Sequence, residues 1–162
     1  PLDRMMKLAL FFVASLPLCQ SAIEADLVPT LPGYADGDLK SKHYSGYLPV
    51  GATSGAGLGM LHYWLIESES ETASTDPLVM WLNGGPGSSS LIGLLNENGQ
   101  IKVNDDSLEV PDGDTPASFY NSYSWSQSAN VLYLEQPKGV GYSFCLDGSS
   151  DCKNTDDNVG PD

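Results

Sequence analysis

The strongest constraint on the fold is a short apolar run that ends at a cluster of glycines. Residues 78–82 (LVMWL) are continuously apolar, which is typical of a strand buried on both faces. Residues 83–87 (NGGPG) follow at once and are predicted to form a loop, because Gly and Pro interrupt regular structure. Most glycine clusters only make tight turns. Glycine also lets a backbone approach a ligand and direct N–H groups at it, as an oxyanion hole requires, so this loop is the candidate site.

The segments around this strand indicate an α/β sheet. The Gly-rich residues 51–59 separate two β-like runs, as in a hairpin with a loose loop. Three serines at 88–90 are interpreted as caps of a helix that follows them, and residues 99–128 as irregular loops and small hairpins. Antiparallel strands followed by buried strands, with helix and loop segments between them, are typical of the α/β class. The predicted elements are strands at 44–50, 60–68, 78–82 and 130–135 and a helix at 91–96.

The N-terminus has the pattern of a secretory signal. Positive residues at the start are followed by an apolar run at 8–19 and by small residues at 20–22, which is the order that signal peptides show. The apolar run is shorter than the roughly 20 residues that span a bilayer. Residues 1–22 are therefore interpreted as a signal peptide, with residues 1–4 as candidate non-native sequence. The product is expected in the secretory pathway and not in a membrane.

Cysteine usage fits an oxidising compartment. Cys19 falls within the predicted signal, so Cys145 and Cys152 would remain in the processed chain. These two can bridge the Gly- and Ser-rich segment between them or pair with cysteines beyond residue 162, and both alternatives stay open.

Composition narrows the range of functions. The formal net charge of −14 makes nucleic acid and anionic membrane surfaces poor partners, because like charges repel. A hydrophobic content of 41% is that of a globular chain. No motif for a cofactor or a metal occurs, so none is expected. His43 and His62 are the only histidines, and each is interpreted as a surface or packing residue.

Five ordered segments carry a resemblance to a known family. They are HYSGYL, LHYWLIES, PLVMWLNGGPGSSS, LLNENG and NSYSWSQSANVLYLEQPKGVGYS. They are similar to motifs of the serine carboxypeptidases, most closely the cathepsin A-like branch, whose loop usually reads WLNGGPGCSS. The similarity covers roughly residues 30–145. It implies an α/β-hydrolase fold, of which residues 23–162 would be a truncated N-terminal portion: the opening antiparallel hairpin, the third strand with its oxyanion loop, and the following strand.

The resemblance implies roles for the residues that match. Gly85 would supply one backbone N–H to the oxyanion hole. Trp81, Asn83, Gly84 and Glu97 would hold the free carboxylate at the C-terminus of a peptide. Glu97 would face a second glutamate just before the nucleophile, and two close carboxyls share a proton. That sharing would favour substrate binding at acid pH.

Two positions depart from the family pattern. Ser88 stands where the family usually has Cys, and Gln100 where it usually has Pro. Neither change is expected to touch the chemistry. The chain contains no Gly-x-Ser-x-Gly segment, so its own serines are not expected to be nucleophiles. The serine, histidine and aspartate of the triad would lie after residue 162.

The resemblance implies a serine-type carboxypeptidase that releases C-terminal residues from peptides or proteins through an acyl-enzyme, secreted or in a lysosome or vacuole. The 162-residue chain alone is expected to be inactive. One alternative is an acyltransferase of the same fold; such enzymes tend to alter the Asn of the glycine loop, so Asn83 and Glu97 favour the peptidase. Another is a non-catalytic relative that acts as a binding protein. A homodimer of the full-length protein is also left open.

Overall fold

A mixed β-sheet organises the chain in the computed structural model, which describes residues 23–51, 58–146 and 152. The signal-peptide hypothesis for residues 1–22 therefore lies outside the described residues. The strands are β1 (Leu27–Val28), β2 (His43–Val50), β3 (Gly59–Ile66), β4 (Leu78–Trp81), β5 (Ile101–Lys102), β6 (Phe119–Tyr120), β7 (Asn130–Leu134) and β8 (Phe144–Cys145). The helices are α1 (Leu91–Asn96), with its predicted bounds, and 3-10 turns at Glu24–Asp26, Ala73–Thr75, Asp105–Leu108 and Trp125–Gln127.

The order of the strands explains how distant segments meet. In the main sheet the order is β1-β2-β3-β7-β4, and β8 also pairs with β3. The β2–β3 and β3–β7 pairs are antiparallel, whereas β4 runs parallel to β7. A parallel pair needs a long crossover, and the crossover from β4 to β7 carries α1 and the small β5–β6 ribbon. The α/β class predicted from the sequence is confirmed.

The hydrophobic core lies on one face of this sheet. Strand alternation and the register that pairs Trp64 and Trp81 with Tyr133 place these aromatic rings side by side. Helix α1 packs onto them through Leu94, which is almost fully buried. The core consists of Ile66, Leu94, Ile101, Val131 and Tyr133, with Leu31, Tyr34, Trp64, Trp81, Leu91 and Leu95 partly buried against it.

The opposite face of the sheet is open at β4. Leu78 exposes 63% of its surface and Met80 exposes 55%, and Leu82 just beyond the strand exposes 49%. They alternate with Val79 and Trp81, which are half-buried. The prediction that this run is buried on both faces is therefore wrong. At β4, the described residues cover only the face that α1 packs against.

A disulfide lies at the end of the short strand β8, which pairs with β3. Cys145, at the end of β8, is bonded to Cys152, with their Cα atoms 5.8 Å apart. Of the two alternatives for these cysteines, the structure contains the local bridge.

Within the described ranges, no helix has the length and apolar character that crossing a bilayer requires.

Candidate functional site

The glycine loop connects β4 to α1 and leaves its backbone open to solvent. Residues 84–87 are exposed, and the Gly85–Pro86 peptide is cis. Gly85 has a φ of 133° and Gly87 a φ of 102°, which residues with a Cβ rarely adopt. The Ser88 N–H donates to the Gly84 carbonyl at 3.3 Å and closes the turn. Three of the four residues 84–87 are glycines, so few side chains shield the backbone that follows β4.

Two serines tie the end of this loop to the sheet and the helix. The Ser90 hydroxyl accepts from the Asn83 N–H at 3.2 Å and donates to the Leu134 carbonyl at 2.6 Å. Ser89 Oγ accepts from the N–H of Leu91, the first residue of α1, at 3.2 Å. Ser90 occupies the N-cap position, but its side chain makes no capping bond. The prediction of helix capping is thus wrong for Ser90, because its hydroxyl binds the neighbouring strand instead.

Trp81 fixes the orientation of the Asn83 side chain. The indole Nε1 donates to Asn83 Oδ1 at 2.6 Å. Gly93 in α1 makes room for the indole, since a Cβ there would lie 2.1 Å from Trp81 Nε1. Trp125 packs edge-to-face against Trp81, with ring centroids 5.5 Å apart. Because the oxygen of the Asn83 amide faces the indole, its nitrogen is directed elsewhere and is the atom that can donate to a ligand.

Glu97 lies one turn after Gly93, at the C-cap of α1. Its N–H donates to the Gly93 carbonyl at 3.1 Å, and its own carbonyl accepts from Asn121 Nδ2 at 3.2 Å. The backbone is therefore held in place, while the side chain is exposed. The structure joins Trp81 to Asn83 directly and puts Glu97 at the far end of the helix that covers the indole.

A buried carboxylate lies behind the loop. Glu135 directly follows β7 and is 0% exposed. Its Oε1 accepts from the Ser89 hydroxyl, and its Oε2 accepts from His62 Nδ1 at 3.0 Å and from the Tyr142 N–H at 2.8 Å. Burial raises the pKa of this carboxyl, but the hydrogen bonds from His62, Ser89 and Tyr142 outweigh burial and hold the pKa below its usual value. Both oxygens of an ionised carboxylate are thus satisfied.

His62 extends this network across the sheet. Its Nε2 lies 2.9 Å from Ser45 Oγ, and only 6% of the residue is exposed, so it is a packing residue. Ser45, His62 and Glu135 follow the serine–histidine–carboxylate order of hydrolase triads. Ser45, however, stands inside the paired strand β2 and not on a sharp turn, as a nucleophile elbow requires. The glycine loop reaches the network from the other end, through Ser89.

Comparison with known proteins decides the family. The serine carboxypeptidase family model matches residues 32–162. This chain belongs to the serine carboxypeptidase family. It is 43% identical over 141 residues to the serine carboxypeptidase ctsa-4.1 of Caenorhabditis elegans, which covers 87% of this chain. It is 42% identical over 137 residues to serine carboxypeptidase-like 20 of Arabidopsis thaliana, covering 85%, and 41% identical over 128 residues to the lysosomal protective protein of Mus musculus, covering 79%.

The matched regions make up 27%, 25% and 24% of these three relatives. The chain therefore spans about a quarter of the length of the curated relatives it matches.

In this member of the serine carboxypeptidase family, the departure at Gln100 has a structural role. Gln100 is 0% exposed, and its Oε1 accepts from His43 Nε2 at 3.0 Å and from the Lys40 N–H at 3.2 Å. Trp64 Nε1 donates to His43 Nδ1 at 3.2 Å. Burial lowers the pKa of His43 to about 4, so its ring is neutral. His43 is therefore a packing residue and not a surface residue.

Sequence patterns do not predict the contact between His62 and Glu135, because it joins residues 73 positions apart. One signal is nevertheless present in the sequence: a charged residue that directly continues the apolar run at 131–134 needs a partner if it is buried. Gly93 carries another signal, since a glycine inside a helix costs about 1 kcal/mol relative to Ala and so indicates close packing. Across the ranges that the structure describes, no group of three His, Cys, Asp or Glu residues is placed to hold a metal ion.

Proposed function

We propose that this chain is the N-terminal portion of a serine-type carboxypeptidase, which releases residues from the C-termini of peptides or proteins through an acyl-enzyme. The observation that carries this proposal is the oriented amide of Asn83, held by the Trp81 indole at 2.6 Å beside an exposed glycine loop. Membership of the serine carboxypeptidase family supports the same activity.

The terminal carboxylate of the substrate would bind at Asn83 and Gly84. A carboxylate that leaves water needs hydrogen-bond donors, since an unpaired buried charge is strongly unfavourable. The Asn83 amide nitrogen is such a donor, and the exposed backbone N–H groups of the loop are others. Trp81 would act through Asn83, because its N–H occupies the amide oxygen and so presents the nitrogen to the ligand.

Glu97 would complete this subsite from the end of α1. We expect it to share a proton with a second glutamate that lies outside this chain, as the family resemblance implies. A protonated carboxyl can donate a hydrogen bond to a carboxylate, whereas an ionised one repels it. Binding would then be strongest at acid pH.

Acid preference fits the proposed destination. The signal-peptide hypothesis for residues 1–22 leads into the secretory pathway, and one relative is named a lysosomal protective protein. We therefore propose that the protein is secreted or reaches a lysosome or vacuole, where acid conditions would favour carboxylate binding.

Gly85 would donate one N–H to the oxyanion that forms during acyl transfer. Its φ of 133° is accessible to glycine and rarely to other residues. The second donor and the Ser, His and Asp of the triad would come from sequence after residue 162. The hydrogen-bond networks that engage Ser89, Ser90 and both histidines support this assignment, because none of these groups is arranged as an attacking pair at the loop.

The substitution Asn83→Ala in the complete protein tests the carboxylate subsite. A hydrogen bond to a charged group contributes about 1.5–3 kcal/mol, so kcat/KM for a free-acid peptide should fall about ten- to hundred-fold. A peptide with an amidated C-terminus has no carboxylate, and its cleavage should fall far less. Glu97→Gln should flatten the acid-side preference, because an amide cannot share a proton with a neighbouring glutamate.

Asn104→Ala is a matched control for this experiment. Asn104 lies in a separate turn, where its side chain contacts Asp106 and Ser107. Its removal should therefore leave kcat/KM unchanged for both the free-acid and the amidated peptide. Equal losses on free-acid and amidated substrates would make Asn83 and Glu97 structural residues and overturn the carboxylate assignment. Absence of any cleavage by the parent protein would overturn the proposed activity itself.

A further inference from the structure

We propose that Glu135 and His62 are positioning residues, which hold the glycine loop in its reactive geometry through the hydroxyl of Ser89. This role rests on the oxyanion function proposed above for Gly85. Neither side chain would touch the substrate, because both are buried behind the loop.

The two oxygens of Glu135 divide this task. Oε2 is held on the sheet side by His62 Nδ1 at 3.0 Å and by the Tyr142 N–H at 2.8 Å. Oε1 receives the Ser89 hydroxyl on the loop side. Since the sheet-side bonds come from a strand residue and a backbone amide, the carboxylate is a fixed point. The loop is fastened to that point by one hydrogen bond.

The loop-side bond has a defined direction. An ionised carboxylate only accepts hydrogen bonds, so the Ser89 hydroxyl must donate to Glu135. Its oxygen is then turned to accept from the Leu91 N–H, at 3.2 Å. Ser89 thereby links the sheet to the first turn of α1. Residues 84–87, which are exposed, lie between Ser89 and the end of β4.

Gly141 leaves the space that the Glu135 carboxylate occupies. Gly141 has a φ of 54°, and a Cβ at this position would lie 1.9 Å from Glu135 Oε1. A glycine is therefore required for two independent reasons, the backbone conformation and the approach of the carboxylate. The segment that donates the Tyr142 N–H is shaped around Glu135.

A loop held in this way would act on the rate of the chemical step more than on binding. An oxyanion hydrogen bond is made in the transition state and not with the bound peptide. Loosening the loop displaces the Gly85 N–H from the position of the oxyanion. It should leave the amide of Asn83 in place, because that amide is fixed separately by Trp81.

The experiment compares Ser89→Ala, Ser89→Thr and Glu135→Gln with the parent in the complete protein. Ser89→Ala should lower kcat about ten- to hundred-fold, since a displacement of about 1 Å can cost about a hundred-fold, and should change KM much less. Ser89→Thr restores the hydroxyl and should recover most of the loss. Glu135→Gln keeps the shape but has a single acceptor oxygen, so it should behave like Ser89→Ala.

A second readout separates positioning from general damage. A peptide aldehyde forms a tetrahedral adduct whose oxygen occupies the oxyanion hole, so its affinity should fall in parallel with kcat. The affinity of a product peptide should stay near that of the parent. Ser107→Ala is the matched control, because Ser107 is also a buried serine but is hydrogen-bonded to Asn104 in another turn. This variant should alter neither kcat nor the affinity for the aldehyde. All rates are divided by the fraction of folded protein.

The outcomes distinguish this role from the proposed function. An active parent whose kcat is unchanged by Ser89→Ala and Glu135→Gln would overturn the positioning role and leave the carboxypeptidase proposal standing. The positioning role would also be overturned if the variants raised KM instead of lowering kcat, and if they bound the peptide aldehyde and the product peptide more weakly to the same extent. A parent that cleaves no peptide would overturn the carboxypeptidase proposal, and the positioning role with it.

Discussion

Two buried histidines on the same face of the sheet have opposite kinds of partner. His43 in β2 is bonded to the neutral amide of Gln100 and to the Trp64 indole. His62 in β3 is bonded to the ionised carboxylate of Glu135 and lies 2.9 Å from the Ser45 hydroxyl. Both are almost completely buried, so burial alone does not distinguish them.

The hydrogen bonds decide what each imidazole can do. Burial keeps the His43 ring neutral. In that state Nδ1 accepts a hydrogen bond from the Trp64 N–H, and the Nε2–H donates one to Gln100 Oε1. In the other region the carboxylate of Glu135 requires His62 Nδ1 to carry a proton. A buried histidine is thus an inert packing group beside an amide and part of a charged network beside a carboxylate.

Glu135→Ala should have the largest effect on stability. It removes a fully buried carboxylate and leaves the donors of His62, Ser89 and Tyr142 without their acceptor. Breaking a buried pair by removing one partner typically costs about 3–5 kcal/mol, and urea unfolding at neutral pH measures this loss. Glu71→Ala, at an exposed position, should change stability by less than about 0.5 kcal/mol. Equal stability of the two variants would show that the Glu135 network contributes nothing to the fold.

Acidification should destabilise the His43 region next most strongly. The unfolded histidine takes up its proton near pH 6.5, whereas the folded pKa is about 4. Between these values the unfolded state binds more protons, so stability falls as the pH drops. The expected loss from pH 7 to pH 4 is about 3 kcal/mol, measured by denaturant unfolding at several pH values.

His43→Gln is the control for this pH dependence. In this variant the free energy of unfolding should change less with pH between about pH 6.5 and 4.5. In this range a glutamate in the unfolded chain is still ionised, so Glu135 does not contribute to the slope. The lowered pKa of Glu135 contributes stability that is present above the pKa of an unfolded glutamate and is lost at lower pH. A slope that persists in His43→Gln would place the titrating group elsewhere.

Gln100→Glu should give His43 a carboxylate partner like the one that His62 has in Glu135. An adjacent opposite charge shifts a pKa by about 1–3 units toward the charged form, so the pKa of His43 should rise. The ring proton resonances of His43, followed by NMR against pH in the variant and the parent, give this value directly. An unchanged His43 titration would mean that burial, and not the partner, determines its state.

Ser45→Ala should have the smallest effect. It removes one neutral hydrogen bond at the far end of His62, which typically contributes about 1 kcal/mol, and thermal unfolding detects such a change. The proposed peptidase activity of the complete protein should be unchanged by this substitution. Loss of all activity in a folded Ser45→Ala protein would instead make Ser45 part of the chemistry.

Local patterns in the amino-acid chain were enough to predict much of the framework. The apolar run at 78–82 that stops at NGGPG predicted β4 and the loop, and residues 91–96 predicted α1 with the observed bounds. Periodicity and turn-forming residues act over a few positions, so they are readable without the fold. The ordered motifs likewise indicated the family that the comparisons establish.

Only the tertiary arrangement decided which polar groups meet and which faces are covered. The His62–Glu135 and His43–Gln100 contacts join residues 73 and 57 positions apart, and the first depends on β7 lying beside β3 in the sheet. The open face of β4 has the same origin: an apolar run predicts burial, but the elements packed against a strand determine whether one face or both are buried. Strand order and packing partners are set by contacts between distant segments, and no local pattern contains them.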